Sequence, residues 1–218
     1  MSANHAAFNL IFRFVENYIS PVAGRISSQR HVMAIRDGFI SAMPFMIVGS
    51  FLLVFAYPPF SPDTTWGFAR AWLDLAKEFE GRILTPFDMT MGIMSIYICA
   101  AIAYNLGKHY EKTNQLDPFM CAMLSIMAFL LVAAPKTNGN LPVDSLGGTG
   151  IFTAILVAVY CVEMMRFLKA HNIGIRLPDQ VPPMIKNSFD LLIPVLVVVL
   201  TLYPLSLLIQ HHFDMLIP

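Results

Sequence analysis

The sequence predicts an all-α membrane protein with about five transmembrane helices, an N-terminal amphipathic helix and interfacial helices in its loops. Hydrophobic residues make up 56% of the 218 residues and charged residues only 13%, whereas about 25% of a soluble domain is charged. The apolar residues fall in long runs, such as 150–168, that match the length of a helix crossing the ~30 Å hydrocarbon core. Basic residues gather in alternate loops, as they do in helices inserted with a fixed orientation.

The N-terminal segment, residues 1–34, is predicted to be amphipathic. Its apolar residues recur at helical spacing with polar residues between them; they are Phe8, Ile11, Phe12, Val15 and Ile19. Pro21 and Gly24 are expected to end this helix. Two interpretations are open, an anchor at the membrane surface and a helix packed against its own domain.

Residues 35–218 are predicted to form a five-span domain. The expected spans are 35–57, 89–106, 118–134, 150–168 and 189–209. Pro44 is expected to kink the first span, and Pro118 suits the first turn of the third. The linker 58–88 combines a helical pattern with Trp66 and Trp72, which is typical of a helix at headgroup level. The charged run after the second span is expected to form a loop; it contains Lys108, His109, Glu111 and Lys112.

The distribution of basic residues predicts the orientation. An N-terminus on the cytoplasmic side places ten of the 14 Lys and Arg residues in inner segments and four in outer ones. Because basic residues favour the cytoplasmic side, this predicts a multi-pass protein with a cytoplasmic N-terminus and an outer C-terminus. An odd number of spans agrees with that assignment.

Few polar side chains lie within the predicted spans, and two pairs of them stand out. Glu163 and Arg166 are three residues apart, and Lys186 and Asp190 are four apart, so each pair can share one helix face. The favoured interpretation is a structural ion pair that sets the depth of its helix. The alternative is that these side chains serve a transport pathway, because polar groups inside a bilayer are costly.

The sequence predicts no catalytic, cofactor or metal site. Cys99, Cys121 and Cys161 each lie inside an apolar run and form no CxxC motif, which is typical of buried thiols. The adjacent His211 and His212 are weak evidence for metal binding. The sequence contains no GxxxxGK[ST], GxSxG or HExxH motif, so an ATPase or hydrolase acting alone has no support. A formal charge of zero gives no support for nucleic-acid binding.

Three strings carry a resemblance to a known family: AIRDGFISAMPFMIVGSFLLV, LPVDSLGGTGIFTAILVAVYCVEMMRFL and IRLPDQVPPMIKNSFDLLIP. They resemble enzyme IIC, the membrane subunit of bacterial phosphotransferase systems, in the lactose/cellobiose/diacetylchitobiose group. The resemblance covers essentially the whole chain but only the N-terminal half of the family's pattern. It implies a location in the bacterial cytoplasmic (inner) membrane.

The resemblance implies a permease subunit that translocates a β-linked disaccharide, such as cellobiose or diacetylchitobiose, with coupled phosphorylation by subunit IIB. The implied partners are the cytoplasmic subunits IIB and IIA, a second-half permease chain and the lipid bilayer. In the family, the His and Glu that contact the sugar belong to the second half, so they lie beyond Pro218 and the substrate-binding residues are unknown. Residues 169–188 are expected to contact IIB or the transport half, with a lipid-headgroup contact as the open alternative.

Two expectations concern assembly. Small residues on the first two spans allow helices to approach closely and predict a homodimer; they are Gly38, Ser41, Gly49, Ser50, Gly92, Ser95, Ala100, Ala101 and Ala103. The resemblance adds that this half is the dimerising one. The alternative is that these residues pack helices within one chain. The corresponding alternative function is a non-transporting dimerisation scaffold, from a truncated or split permease.

Overall fold

The computed structural model describes residues 15–134, 142–175, 182 and 189–213, without the side chains of residues 18, 19 and 210–213. Regular secondary structure in these ranges is helical throughout. A π-helical turn at Val15–Ile19 leads into seven α-helices. They are α1 (Ser20–Ser27), α2 (Arg30–Ala56), α3 (Gly67–Asp88), α4 (Met94–Asn114), α5 (Pro118–Ala133), α6 (Ile151–Ala170, after a 3₁₀ turn at Gly148–Gly150) and α7 (Leu192–Phe213).

Several of these helices have the length and composition of membrane spans, which confirms the predicted fold class. Three stand out, α2, α6 with its preceding turn, and α7 up to residue 209, with mean hydropathies of 2.2, 1.9 and 2.6. Helix α5 is equally apolar in character but has 16 residues. Helix α4 has 21 residues and ends in polar turns.

The N-terminal region differs from expectation in where its helices begin and end. Helix α1 continues through Pro21 and Gly24 to Ser27, so the prediction that these residues end the helix is wrong. Pro21 is the second residue of α1, where a missing N–H breaks no intrahelical bond. Helix α2 begins at Arg30, because the side-chain oxygen of Gln29 caps it by accepting a hydrogen bond from the Val32 amide at 3.2 Å. Residues 1–14 lie outside the described residues.

The charged run expected to form a loop is instead the last part of α4, which extends to Asn114. The helix continues because one of its faces stays apolar beyond Leu106: Ile102, Leu106 and Tyr110, each four residues apart, are all fully buried. Lys108, His109, Glu111 and Lys112 occupy the exposed face. Gln115 ends the helix in a left-handed conformation, with φ of 52°.

Five helices, α2 and α4–α7, alternate in direction. Gly38 of α2 lies against Ile102 and Gly49 against Met91, so α2 and the segment leading through α4 run antiparallel. The Cys99 thiol contacts the carbonyl of Ser125 in α5. The Tyr160 and Thr201 hydroxyls, 2.6 Å apart, join α6 to α7. The starts of α2, α5 and α7 therefore meet the ends of α4 and α6 at one end of the bundle.

The core lies between α4, α5 and α6. Fully buried side chains fill it, among them Ile98, Leu106, Phe129 and Val162. Helices α2 and α7 flank this core and turn large apolar side chains outwards, such as Phe51 (62% exposed) and Leu200 (64% exposed). In a membrane protein such a face suits contact with lipid or with another membrane helix.

Candidate functional site

A cluster of polar side chains lies at the bundle end where α2 begins and α6 finishes, which we call the polar end. Its centre is Glu163 on α6. Oε1 of Glu163 accepts hydrogen bonds from the Tyr110 hydroxyl of α4 and from Nε2 of His31, at 2.9 Å, of α2. Oε2 lies 2.8 Å from Nη1 of Arg166. One carboxylate therefore joins three helices.

The partners of Glu163 are themselves positioned by neighbours. Nε2 of Gln29 donates to Nδ1 of His31 at 2.7 Å, which fits a His31 that carries its proton on Nε2 and points it at the carboxylate. Nη1 of Arg166 donates to the Tyr110 hydroxyl at 3.3 Å. The guanidinium carbons of Arg30 and Arg166 lie 5.1 and 4.7 Å from the centre of the Tyr110 ring, within cation–π range.

A second polar contact joins the end of α6 to the segment just before α7, at the same end. Nζ of Lys169 donates to the carbonyl of Gln115 at 2.7 Å and lies 3.5 Å from Oδ2 of Asp190. These residues line a cleft of about 540 Å³. Its other polar wall comes from Thr113, Asn114 and Asn172. The cleft is open and mixes polar with apolar surface, as a protein-binding surface does.

The structure brings together some of the residues singled out from the sequence. Glu163 and Arg166 lie side by side on α6, within hydrogen-bond distance. Asp190 lies near Lys169, and Lys186 is outside the described residues. His211 and His212 belong to α7, but their side chains are not described. Sequence spacing did not indicate that His31 and Tyr110 contact Glu163, because both are distant from it in the chain. The four-residue repeat that ends at Tyr110 was the available signal for a longer α4.

The side chains at this end form ion pairs and hydrogen bonds between helices. In the described ranges, no group of three or more His, Cys, Asp or Glu side chains is placed to hold a metal ion. Cys99, Cys121 and Cys161 are free and buried, as their apolar surroundings indicate. Donors and acceptors around Glu163 are matched, so the cluster holds helices together and presents cations at the bundle end.

The opposite end of the bundle, the aromatic end, is formed by α3 and the last turns of α2. Rings of Phe55, Phe60, Trp66, Phe68 and Trp72 touch one another there, with centroids 5.5 to 5.9 Å apart. The Tyr57 hydroxyl donates to Oε1 of Glu80 at 2.9 Å, and this hydrogen bond raises the pKa of Tyr57. Between α3 and Phe55 lies an apolar groove of about 550 Å³.

The small residues divide between inner and outer positions. A Cβ added at Gly38 would lie 2.4 Å from Cγ1 of Ile102, and one at Gly49 would lie 2.6 Å from Cβ of Met91. These two glycines therefore serve close packing inside the chain. Ser41 and Ser50 lie on the exposed part of α2, where their hydroxyls bond to carbonyls of their own helix.

Comparisons with a family model and with individual proteins relate this chain to the same family. The family described as "Phosphotransferase system, EIIC" matches residues 36–218. The chain is 33% identical to the "PTS system cellobiose-specific EIIC component" of Geobacillus stearothermophilus, over 91% of this chain and 45% of the relative. It is 34% identical to the "PTS system lactose-specific EIICB component" of Streptococcus mutans, over 87% of this chain and 33% of the relative.

The fold has a solved counterpart. It superposes on the crystal structure of the transporter ChbC, described as the IIC component from the N,N'-diacetylchitobiose-specific phosphotransferase system, with a TM-score of 0.74 and 33% identity. The match covers 91% of this chain and 47% of that one. The chain thus spans half or less of the length of the relatives it matches.

Proposed function

The chain belongs to the phosphotransferase system EIIC family, and from that membership we propose that it forms the scaffold half of a sugar permease. The observation that carries the proposal is the match to the family over residues 36–218 combined with coverage of 47% of a solved EIIC transporter. The permease would move its sugar across the cytoplasmic membrane while the system's cytoplasmic subunits phosphorylate it.

The substrate class we propose is a β-linked disaccharide. The relatives are described as specific for cellobiose or lactose, and the solved counterpart for N,N'-diacetylchitobiose. These sugars are all β-linked disaccharides. The two clefts described above are open surface features, so we propose that the sugar-contacting groups come from the second half of the permease.

We propose that the polar end faces the cytoplasm. Arg30, Arg166 and Lys169 lie at this end, whereas Arg70, Lys77 and Arg82 belong to α3 at the other. The positive-inside rule favours the end with more cations, counting also Lys108 and Lys112 of α4. Because the five alternating helices include an odd number of crossings, α7 would then finish on the outer side.

The cleft beside Lys169 is the surface we propose for subunit IIB or the second half of the permease. It lies at the proposed cytoplasmic end, and its walls come from three helices and the chain after α6. A phosphorylated donor must approach from this side. Lys169 already has Asp190 and Gln115 as partners, so the cleft offers a positioned polar surface rather than a free charge.

A dimerisation scaffold that does not transport is the second candidate, and the exposed apolar face of one membrane helix favours it. The apolar outer face of α2 suits association with a second copy; Ile47, Val48 and Phe51 on it are each at least half exposed. Gly38 and Gly49 are not available to such an interface, since both pack against the segment leading through α4.

A chimeric permease tests the transport proposal. The matching part of the Geobacillus stearothermophilus cellobiose component would be replaced by this chain, and the chimera expressed in cells that lack their own disaccharide permease but contain IIA and IIB. We expect uptake of radiolabelled cellobiose or lactose above that of cells with an empty vector. The intact relative provides the positive control.

The isolated chain provides the complementary measurement. Calorimetric titration of the purified chain with cellobiose or diacetylchitobiose should give no binding heat, because the sugar-contacting groups are proposed to lie in the other half. Saturable binding would contradict the scaffold assignment. A chimera that reaches the membrane and crosslinks as a dimer, yet takes up neither sugar, would favour the non-transporting scaffold.

A further inference from the structure

The aromatic end contains a groove that the transport proposal does not use. Its walls are the apolar stripe of α3 and Phe55 of α2. Along α3 the stripe is formed by residues three and four apart: Phe68, Ala71, Trp72, Leu75, Ala76, Phe79 and Ile83. Leu75 is 55% exposed and Phe68 61% exposed, so the groove is open along its length.

Helix α3 packs against the last turns of α2. Nε1 of Trp72 donates to the carbonyl of Phe55 at 3.2 Å, and Met91, just beyond the end of α3, lies against Gly49. The Trp72 contact lies at the end of a helix of membrane-spanning length, and two tryptophans beside an apolar stripe are typical of a helix at headgroup level.

One cation lines this apolar groove. Arg82 is exposed, and its guanidinium carbon lies 5.6 Å from the centre of the Phe79 ring. Among the described residues, no carboxylate oxygen comes within 4.0 Å of the Arg82 guanidinium, although Glu78 is one turn away. The other cations of α3, Arg70 and Lys77, do not line the groove.

We propose that this groove is a binding site for an anionic phospholipid, with its phosphate at Arg82 and an acyl chain against Phe79, Leu75 and Trp72. The groove's volume of about 550 Å³ is within the roughly 300–1,000 Å³ range of ligand pockets. An acyl chain matches its apolar walls, and a phosphate matches the geometry of a guanidinium. A second copy of the chain, which would place protein rather than lipid in the groove, is the competing occupant.

Tryptophan fluorescence measures this binding directly, because Trp66 and Trp72 are the 2 tryptophans of the chain. The Trp66→Phe variant leaves Trp72 as the reporter on the groove. The full chain would be reconstituted in phosphatidylcholine with brominated acyl chains, which quench a tryptophan in contact with them. Unbrominated phosphatidylglycerol would then be added in place of part of the brominated lipid.

We expect phosphatidylglycerol to relieve the quenching more than its mole fraction requires, with a relative binding constant of about five, as a single cation near a membrane surface provides. Arg82→Ala and Arg82→Gln should lower that constant to about one. Lys77→Ala, which removes a cation from the same helix but outside the groove, should leave it unchanged.

Three results would overturn the proposal. Trp72 that is not quenched by brominated lipid would mean that protein, such as a second copy, covers the groove. A preference that survives both Arg82 substitutions would remove the phosphate contact. An equal loss in Lys77→Ala would show a general effect of surface charge. All three measurements are independent of sugar transport, so they separate this proposal from that of a permease half.

Discussion

The two ends of the helical bundle hold their helices together by different physical means. At the polar end, Glu163 joins α2, α4 and α6 through hydrogen bonds to His31, Tyr110 and Arg166. At the aromatic end, aromatic rings and closely packed glycines make the contacts, as where Gly147 meets the Gly92 carbonyl. Charge-assisted bonds fix direction and distance, whereas apolar contacts depend on the fit of shapes.

This difference corresponds to different surroundings. A matched cluster of charges is suited to the water-facing surface where soluble subunits would dock. An aromatic groove on a helix that carries both tryptophans is suited to lipid. The stability of the two ends should therefore respond to different substitutions.

The largest effect is expected from Gly150→Ala, where close packing is tightest. A Cβ there would lie 2.0 Å from the carbonyl oxygen of Ser145 and 3.2 Å from Cζ of Phe129. Since backbone must move to accommodate it, we expect a loss of about 3 kcal/mol in the free energy of unfolding. Unfolding by SDS in mixed micelles, followed by circular dichroism, measures this. Gly24→Ala, with nothing within 4 Å of the added Cβ, is the matched control.

Glu163→Ala is expected to have the next largest effect, because it leaves three donors at the polar end without their acceptor. Its side chain is 31% exposed, so water replaces part of what is lost, and we expect a loss of about 2 kcal/mol. Glu111→Ala, on the exposed face of α4, should change the same unfolding midpoint very little.

A double-mutant cycle sharpens this test. If the two side chains stabilise each other, the Glu163→Ala/Arg166→Ala double variant should lose less stability than the sum of the losses of the two single variants. We expect the difference to be about 1 kcal/mol. Additive losses would mean that the ion pair contributes nothing and that the Glu163 effect comes from His31 and Tyr110 alone.

The smallest effects come from making the same substitution at both ends. Tyr110→Phe removes a hydroxyl bonded to a carboxylate on a buried residue, so we expect a loss of about 1 kcal/mol. Tyr57→Phe removes the hydroxyl bonded to Glu80, but both groups are exposed, so we expect no measurable change. Equal losses would contradict the view that a tyrosine–carboxylate hydrogen bond stabilises the polar end more than the aromatic end.

The local hydrophobic pattern of the sequence was sufficient to predict much of the fold. The apolar runs of α2, α6 and α7 predicted membrane helices, and the two tryptophans with a helical repeat predicted α3. The Glu163–Arg166 pair was visible because three residues on a helix share a face. The end of α4 was missed because charged residues on its exposed face concealed the apolar repeat that continues to Tyr110.

The composition of the polar cluster could not be predicted from local pattern. His31 and Glu163 are 132 residues apart, and Tyr110 and Glu163 are 53 apart. Such pairs depend on the antiparallel order of the helices and on their relative rotation, which hydrophobic periodicity does not encode. Asp190 is a second example, because its described partner is Lys169 on another helix.

Labelling of single cysteines measures whether the polar end faces the cytoplasm and the aromatic end faces the outside, as we propose. Asn114→Cys reports on the polar end and Asp63→Cys on the loop before α3, while Cys99, Cys121 and Cys161 are buried from the reagent. With a membrane-impermeant maleimide, we predict that intact cells label Asp63→Cys, and that Asn114→Cys is labelled only after permeabilisation. Labelling of Asn114→Cys in intact cells, with Asp63→Cys protected, would show that the bundle has the opposite orientation.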